Sequence, residues 1–183
     1  MRFIPIPTYF NNSQYVVSEF TGDLLIHQRS RSRSLITTCE KLTKALSLCD
    51  NPYKLENIQN KIEKLEPSNR NIRNKARSLI LFCRINFFLA KQYASFKTRI
   101  FLDSAHAISY FHSITANDDK NSLCLPRTFF AAKTSKIFDK EGVIFIGAFL
   151  PSRLMHAWIV ENGIQPDPKD NIWHQFRPVA AIY

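Results

Sequence analysis

Two residues in the last third of the chain, Cys124 and His156, are of the types that nucleophilic acyl chemistry requires. A thiolate attacks a carbonyl, a neighbouring imidazole moves the proton, and a third group orients the imidazole. Cys124 lies in the first turn of a segment, Leu123 to Phe138, that reads as a helix, with Asn121 or Ser122 standing where a capping side chain would. A helix N-terminus carries partial positive charge and unpaired N–H groups, which favour a thiolate and can later hold an oxyanion. A cysteine beside a leucine is more often a small buried residue, so this position alone does not assign it. His156 lies in Met155-His156-Ala157-Trp158-Ile159-Val160-Glu161-Asn162-Gly163, which reads as a strand running into an Asn-Gly turn. Its plain alternative is a histidine that packs beside Trp158. For the orienting carboxylate, Asp167 on the returning chain comes first. Asp170 comes second, because Pro168 and Lys169 set it further from the hairpin. An Asp between two prolines is also an ordinary turn residue.

The elements that must position these groups follow from periodicity. Arg2 to Thr8, Tyr15 to Phe20 and Asp23 to Gln28 are short apolar runs separated by turn residues, and they predict a three-stranded meander. From Ser34 the spacing changes: Leu35, Cys39, Leu42, Leu46 and Cys49 line one face of a helix ending near Asn51-Pro52. Leu55, Ile58, Ile62 and Leu65 form a second helical pattern, stopped by Pro67. The polar stretch from Pro67 to Asn71 places a domain boundary there, giving residues 1–66 and 67–183. One helix is then expected from about Ile72 to Lys97 and another over Asp103 to Ile114, before the polar loop Asn117 to Ser122. Val143 to Leu150, His156 to Glu161 and Val179 to Tyr183 read as strands. Helices followed by antiparallel strands predict an α+β fold.

Composition narrows the function classes. Hydrophobic residues make up 45% of the 183, with 15 Phe and 4 Gly, which is the balance of a folded chain with a real core. The formal charge of +10 raises nucleic acid as a partner, but the basic runs (Arg29, Arg31, Arg33; Arg70, Arg73, Lys75, Arg77) are N-terminal and central, where they suit an acidic peptide or a protein equally well. Cys39, Cys49, Cys83 and Cys124 form no CxxC pair and no zinc spacing with histidine, so no metal is expected. Neither a signal peptide nor a membrane span is expected, and free thiols in a reducing cytoplasm are. No glycine-rich phosphate loop is visible, so a nucleotide requirement would have to reside in a partner.

Taken together, Cys124-Leu125-x-Arg127, the apolar strand ending Ile146-Gly147-Ala148-Phe149, and His156-Ala157-Trp158 followed by Asn162-Gly163 resemble the B protein of lasso-peptide pathways, the leader peptidase of microcin-type gene clusters. The resemblance spans roughly residues 75 to 183 and also fits the interval between Cys124 and His156. It implies a transglutaminase-like or papain-like cysteine protease domain with Cys124, His156 and Asp167 as its triad. For residues 1–66 it implies a leader-recognition module, three strands plus helices, to which the leader adds as an edge strand. The groove would then lie along Leu24, Leu25, Ile26 and His27 and the helix bearing Ile58 and Ile62. The implied partners are the lasso precursor and an asparagine-synthetase-like cyclase, which would supply the ATP requirement; membrane and nucleic acid are not expected. Two other readings compete: acyl transfer to an amine by the same Cys/His pair, and a basic nucleic-acid or adaptor protein with an inert cysteine.

Overall fold

The structure, a computed structural model, describes residues 1–10, 13–20, 23–29, 40–49, 70–95, 98–115, 123–150, 152 and 154–183. The expected domain boundary at 66/67, the helical pattern carrying Ile58 and Ile62, and the capping candidates Asn121 and Ser122 lie outside these residues.

The fold is mixed α+β. Its centre is a four-stranded antiparallel sheet in the order β1-β7-β5-β6, formed by β1 (Phe3–Pro5), β5 (Gly142–Phe149), β6 (Leu154–Glu161) and β7 (Arg177–Ile182). Strand β5, GVIFIGAF, is apolar at successive positions and not only at alternate ones, because both faces of the sheet are covered. Ile144, Ile146, Ala148, Ile159 and Ala180 pack into the larger cluster with helices α2 (Arg70–Ile85), α3 (Phe87–Ser95), α4 (Ser104–Ile114) and α5 (Cys124–Thr134). Val143, Phe145, Trp158, Val160 and Ala181 pack on the opposite side with Ile4, Ile6, Trp173 and Leu42 and Ala45 of α1 (Glu40–Cys49). A short helix, α6 (Phe138–Glu141), leads into β5, and a 3-10 turn covers Trp173–Gln175.

A second sheet, in the order β2-β3-β4, consists of β2 (Thr8–Phe10), β3 (Ser13–Phe20) and β4 (Asp23–Arg29). The meander expected at the N-terminus is present, but its first strand differs. The run Arg2 to Thr8 divides: Phe3–Pro5 pairs with β7 in the central sheet, and only Thr8–Phe10 joins β3. Two prolines explain the division, since Pro5 and Pro7 lack the N–H needed to continue a ladder. Ile6 bonds Val179 between them, and the Thr8 hydroxyl bonds the Pro178 carbonyl. The first residues of the chain therefore belong to the same sheet as His156.

The helix expected from Ile72 to Lys97 is two helices. Asn86 interrupts it, its side-chain oxygen accepting from the N–H groups of Phe88 and Leu89 at 2.8 and 3.2 Å, so that it caps α3. Apolar periodicity continues through Phe82, Phe87 and Ala90, which hides the break from a reading of spacing alone. Helix α5 ends at Thr134, short of the expected Phe138. No helix among the described residues is long and apolar enough to cross a membrane.

Candidate functional site

Cys124 is the first residue of α5, and Leu123 occupies the cap position without a side-chain cap. The first intrahelical bond is donated by the Arg127 N–H to the Leu123 carbonyl at 3.0 Å. The N–H groups of Cys124 and Leu125 precede it, and Pro126 has none, which suits proline to a first turn. The half-buried Cys124 thiol thus sits at the N-terminal end of a helix.

Opposite it stands β6. The Asn162-Gly163 turn that ends this strand has φ of 51° and 76°, the left-handed pair of a two-residue hairpin, and Glu161 and Ile164 exchange both backbone hydrogen bonds across it. Strand β6 holds His156 in register with Gly147 of β5. A Cβ on Gly147 would lie 2.5 Å from the Trp158 ring, so glycine is what lets the indole lie against the strand. The His156 ring stacks on Trp158 at an interplanar angle of 17° and lies 5.0 Å from the Phe176 ring. Two aromatic rings therefore neighbour the imidazole.

The His156 Nε2 contacts Asp170 Oδ2 at 2.7 Å. Its ring also hydrogen-bonds the Cys124 thiol, and the Ala157 N–H bonds the same sulfur. With Nε2 engaged by Asp170, Nδ1 is the nitrogen left for Cys124. Burial disfavours a charged thiolate, but the His156 hydrogen bond and charge, the Ala157 N–H and the Arg127 charge outweigh it and hold the Cys124 pKa below its ordinary value. Burial likewise opposes an imidazolium, yet Asp170 and Cys124 raise His156 to about 9. The two directions together favour a thiolate–imidazolium pair at neutral pH.

The carboxylate against His156 is Asp170; the expectation of Asp167 is corrected. The reason lies in the turn Asp167-Pro168-Lys169-Asp170, closed by the Asp170 N–H on the Asp167 carbonyl at 3.1 Å. Pro168 sets φ for such a turn and reverses the chain, so it brings Asp170 back toward the hairpin where it was expected to carry it away. Asp167 is spent elsewhere: its Oδ1 accepts the Lys169 N–H at 3.0 Å and meets His112 Nε2 of α4 at 3.1 Å, while its Oδ2 lies 2.9 Å from Arg127 Nε. Burial works against the Asp167 charge, and His112, Arg127 and the Lys169 N–H overcome it, holding its pKa below the usual carboxylate value.

Three further residues shape the site without having been read as functional. Arg127 is buried between the two aspartates, and His112 closes the far end of the network. Glu161, at the end of β6, accepts from the Ser104 N–H and hydroxyl at the start of α4, both at 2.7 Å, and from the Ser135 hydroxyl at the end of α5 at 2.9 Å. That buried carboxylate ties the strand carrying His156 to the helix carrying Cys124. Spacing gives no signal for such a tie, since a glutamate at a strand end ordinarily faces solvent.

Of the expected leader-binding residues, Leu24 and Ile26 lie on β4, at an edge of its sheet, and are half-buried against the main core cluster. Leu25 and His27 belong to the same strand. No family model matches this chain, and no curated protein or solved structure matches it either.

Proposed function

We propose that this protein is a cysteine protease that removes the leader from a lasso-peptide precursor, with Cys124 as nucleophile, His156 as base and acid, and Asp170 as the orienting carboxylate. The observation that carries the chemistry is the hydrogen-bonded chain from the Cys124 thiol through His156 to Asp170, with the thiol at a helix N-terminus. The substrate class follows from the resemblance of the Cys-Leu-x-Arg and His-Ala-Trp segments to lasso-pathway leader peptidases.

In this reading the thiolate attacks the scissile carbonyl, and the N–H groups of Cys124 and Leu125 donate to the oxyanion. The C–N bond breaks as the His156 imidazolium protonates the leaving amine, which becomes the new N-terminus of the core peptide. Water then gives a proton to His156 and adds to the thioester, and the C–S bond breaks to release the leader acid and restore the thiolate. The backbone edge of β4 supports binding of the leader by strand addition. A partner cyclase would use ATP to close the macrolactam on the freed amine.

The test is incubation of the precursor with the purified protein and its cyclase plus ATP, followed by mass spectrometry, for wild type, Cys124→Ala and His156→Ala. Free leader from wild type and none from either variant is the expected result. A cross-linked product in its place would assign acyl transfer to an amine, and full cleavage by either variant would remove these residues from the chemistry.

A further inference from the structure

Five side chains form one line, buried except at its half-buried far end: His156 on β6, Asp170 on the turn, Arg127 on α5, Asp167 on the turn and the half-buried His112 on α4. Asp170 has an uneven share of it. Its Oδ2 meets both His156 Nε2 at 2.7 Å and Arg127 Nη2 at 3.2 Å, while its buried Oδ1 has no hydrogen-bond partner among the described residues. Both contacts therefore fall on one oxygen, and apart from His156 the guanidinium is the only described side chain that holds this carboxylate. Arg127 is anchored in turn: its Nε lies 2.9 Å from Asp167 Oδ2 as an ion pair, although the N–H is not aimed along a hydrogen bond. Asp167 is itself fixed by His112 and by the Lys169 N–H.

We infer that Arg127 is a positioning residue, which bridges Asp170 to the anchored Asp167 and so keeps the Asp170 carboxylate directed at His156. The bridge needs two nitrogens held apart on one rigid, charged plane, one donating to Asp170 and the other ion-paired with Asp167, which a guanidinium has and an ammonium lacks. The plain alternative is that Arg127 only neutralises two buried carboxylates, or acts on the thiol through its charge. These roles differ in sign at His156. A positive charge close by disfavours the imidazolium, so removing Arg127 as a mere charge raises the His156 pKa. Removing Arg127 as a positioner frees Asp170 to turn away, so the His156 pKa falls. The groups facing Arg127 from the packed elements are Asp167 and Asp170 on the turn, His112 on α4, and Cys124 and His156 at the site, and none of them reverses this contrast.

This inference deepens the proposed cysteine chemistry, but its test needs no substrate. The experiment is an NMR titration of the His156 ring, assigned by loss of its signal in His156→Gln, for wild type, Arg127→Lys and Arg127→Gln. Arg127→Lys keeps the charge and loses the fork; its His156 pKa is expected to fall by about one unit or more. Arg127→Gln is expected to fall as well. If Arg127→Gln does not fold, Arg127→Lys decides alone, because at unchanged charge a mere counter-charge leaves the His156 pKa where it was. An unchanged value in Arg127→Lys, or a rise in Arg127→Gln, overturns the inference. A protein that cleaves no precursor but shows the fall in Arg127→Lys retains the inference and loses the protease reading.

Discussion

The sharpest consequence of the site geometry concerns the two aspartates, three positions apart, of which only Asp170 touches His156. His156 stands at about 9 against an ordinary 6.5, and Asp170 heads the contributions that raise it against burial. That difference amounts to roughly 3 kcal/mol in favour of the imidazolium. Asp170→Asn removes the charge and leaves an amide that can present its N–H side to the ring, so most of this stabilisation is lost and burial then acts unopposed by a carboxylate. Cleavage of the precursor should fall by about 10²- to 10⁴-fold, the range expected when a proton-transfer group loses its orientation. The pH profile should narrow. On the proposed reading, wild-type activity should rise with pH as Cys124 ionises and decline as His156 deprotonates near 9; in Asp170→Asn the alkaline limb should move down. Asp167→Asn leaves the His156 contact in place and should lose about 10-fold or less, the effect of one buried ionic contact relaxed at a distance. Single-turnover cleavage measured from pH 5 to 10 separates the two variants. A larger loss in Asp167→Asn than in Asp170→Asn, or an Asp170→Asn enzyme with an unmoved alkaline limb, would refute the assignment.

Three other outcomes follow from the same structure. Gly147→Ala puts a methyl 2.5 and 2.6 Å from the Trp158 ring and 2.8 Å from Phe176 Cβ, an overpacking that costs about 1–3 kcal/mol and should lower Tm by about 2–4 °C per kcal/mol; a calorimetric Tm within 1 °C of wild type would contradict it. Glu161→Ala removes the acceptor of three buried bonds and should destabilise by about 3 kcal/mol or more, measured by urea denaturation, whereas Glu141→Ala on the exposed end of α6 should change stability by less than about 0.5 kcal/mol. Burial and the charge of Cys124 push Cys83 up to about 12, so its thiolate fraction at pH 7 is on the order of 10⁻⁵; iodoacetamide followed by peptide mass spectrometry should label Cys124 well before Cys83, and equal labelling would count against the environments described for both.

What the sequence made legible is what short-range rules govern. The Asn162-Gly163 hairpin was readable because its two central residues must take positive φ, and few pairs do so without strain. Cys124 at a helix start was readable because the polar run Asn117 to Ser122 gives way to a helical pattern at Leu123. The divided N-terminal strand was not, because a period of two tells which face a strand buries and says nothing about which strand it pairs with; β1 reaches β7 across almost the whole chain. Nor was the choice between Asp167 and Asp170, both of which stand near the hairpin in the sequence.

That choice turned on Pro168: distance along the chain counts it and Lys169 as two residues of separation, and the turn converts them into a reversal. The same reversal puts both carboxylates within reach of one guanidinium, so the residue that made the acid hard to read also explains why Arg127 can serve two aspartates at once. A site assembled by a reversing turn is expected to depend on that turn. Pro168→Gly, which keeps every polar group of the network and loosens only the backbone, should reduce cleavage through Asp170 while leaving the Glu161 tie and the sheet intact. Circular dichroism unchanged alongside an activity loss of about 10-fold is the expected pattern, with a stability loss of about 1 kcal/mol from the added unfolded-state freedom. Full activity in Pro168→Gly would mean that the Arg127 bridge alone is enough to place the carboxylate.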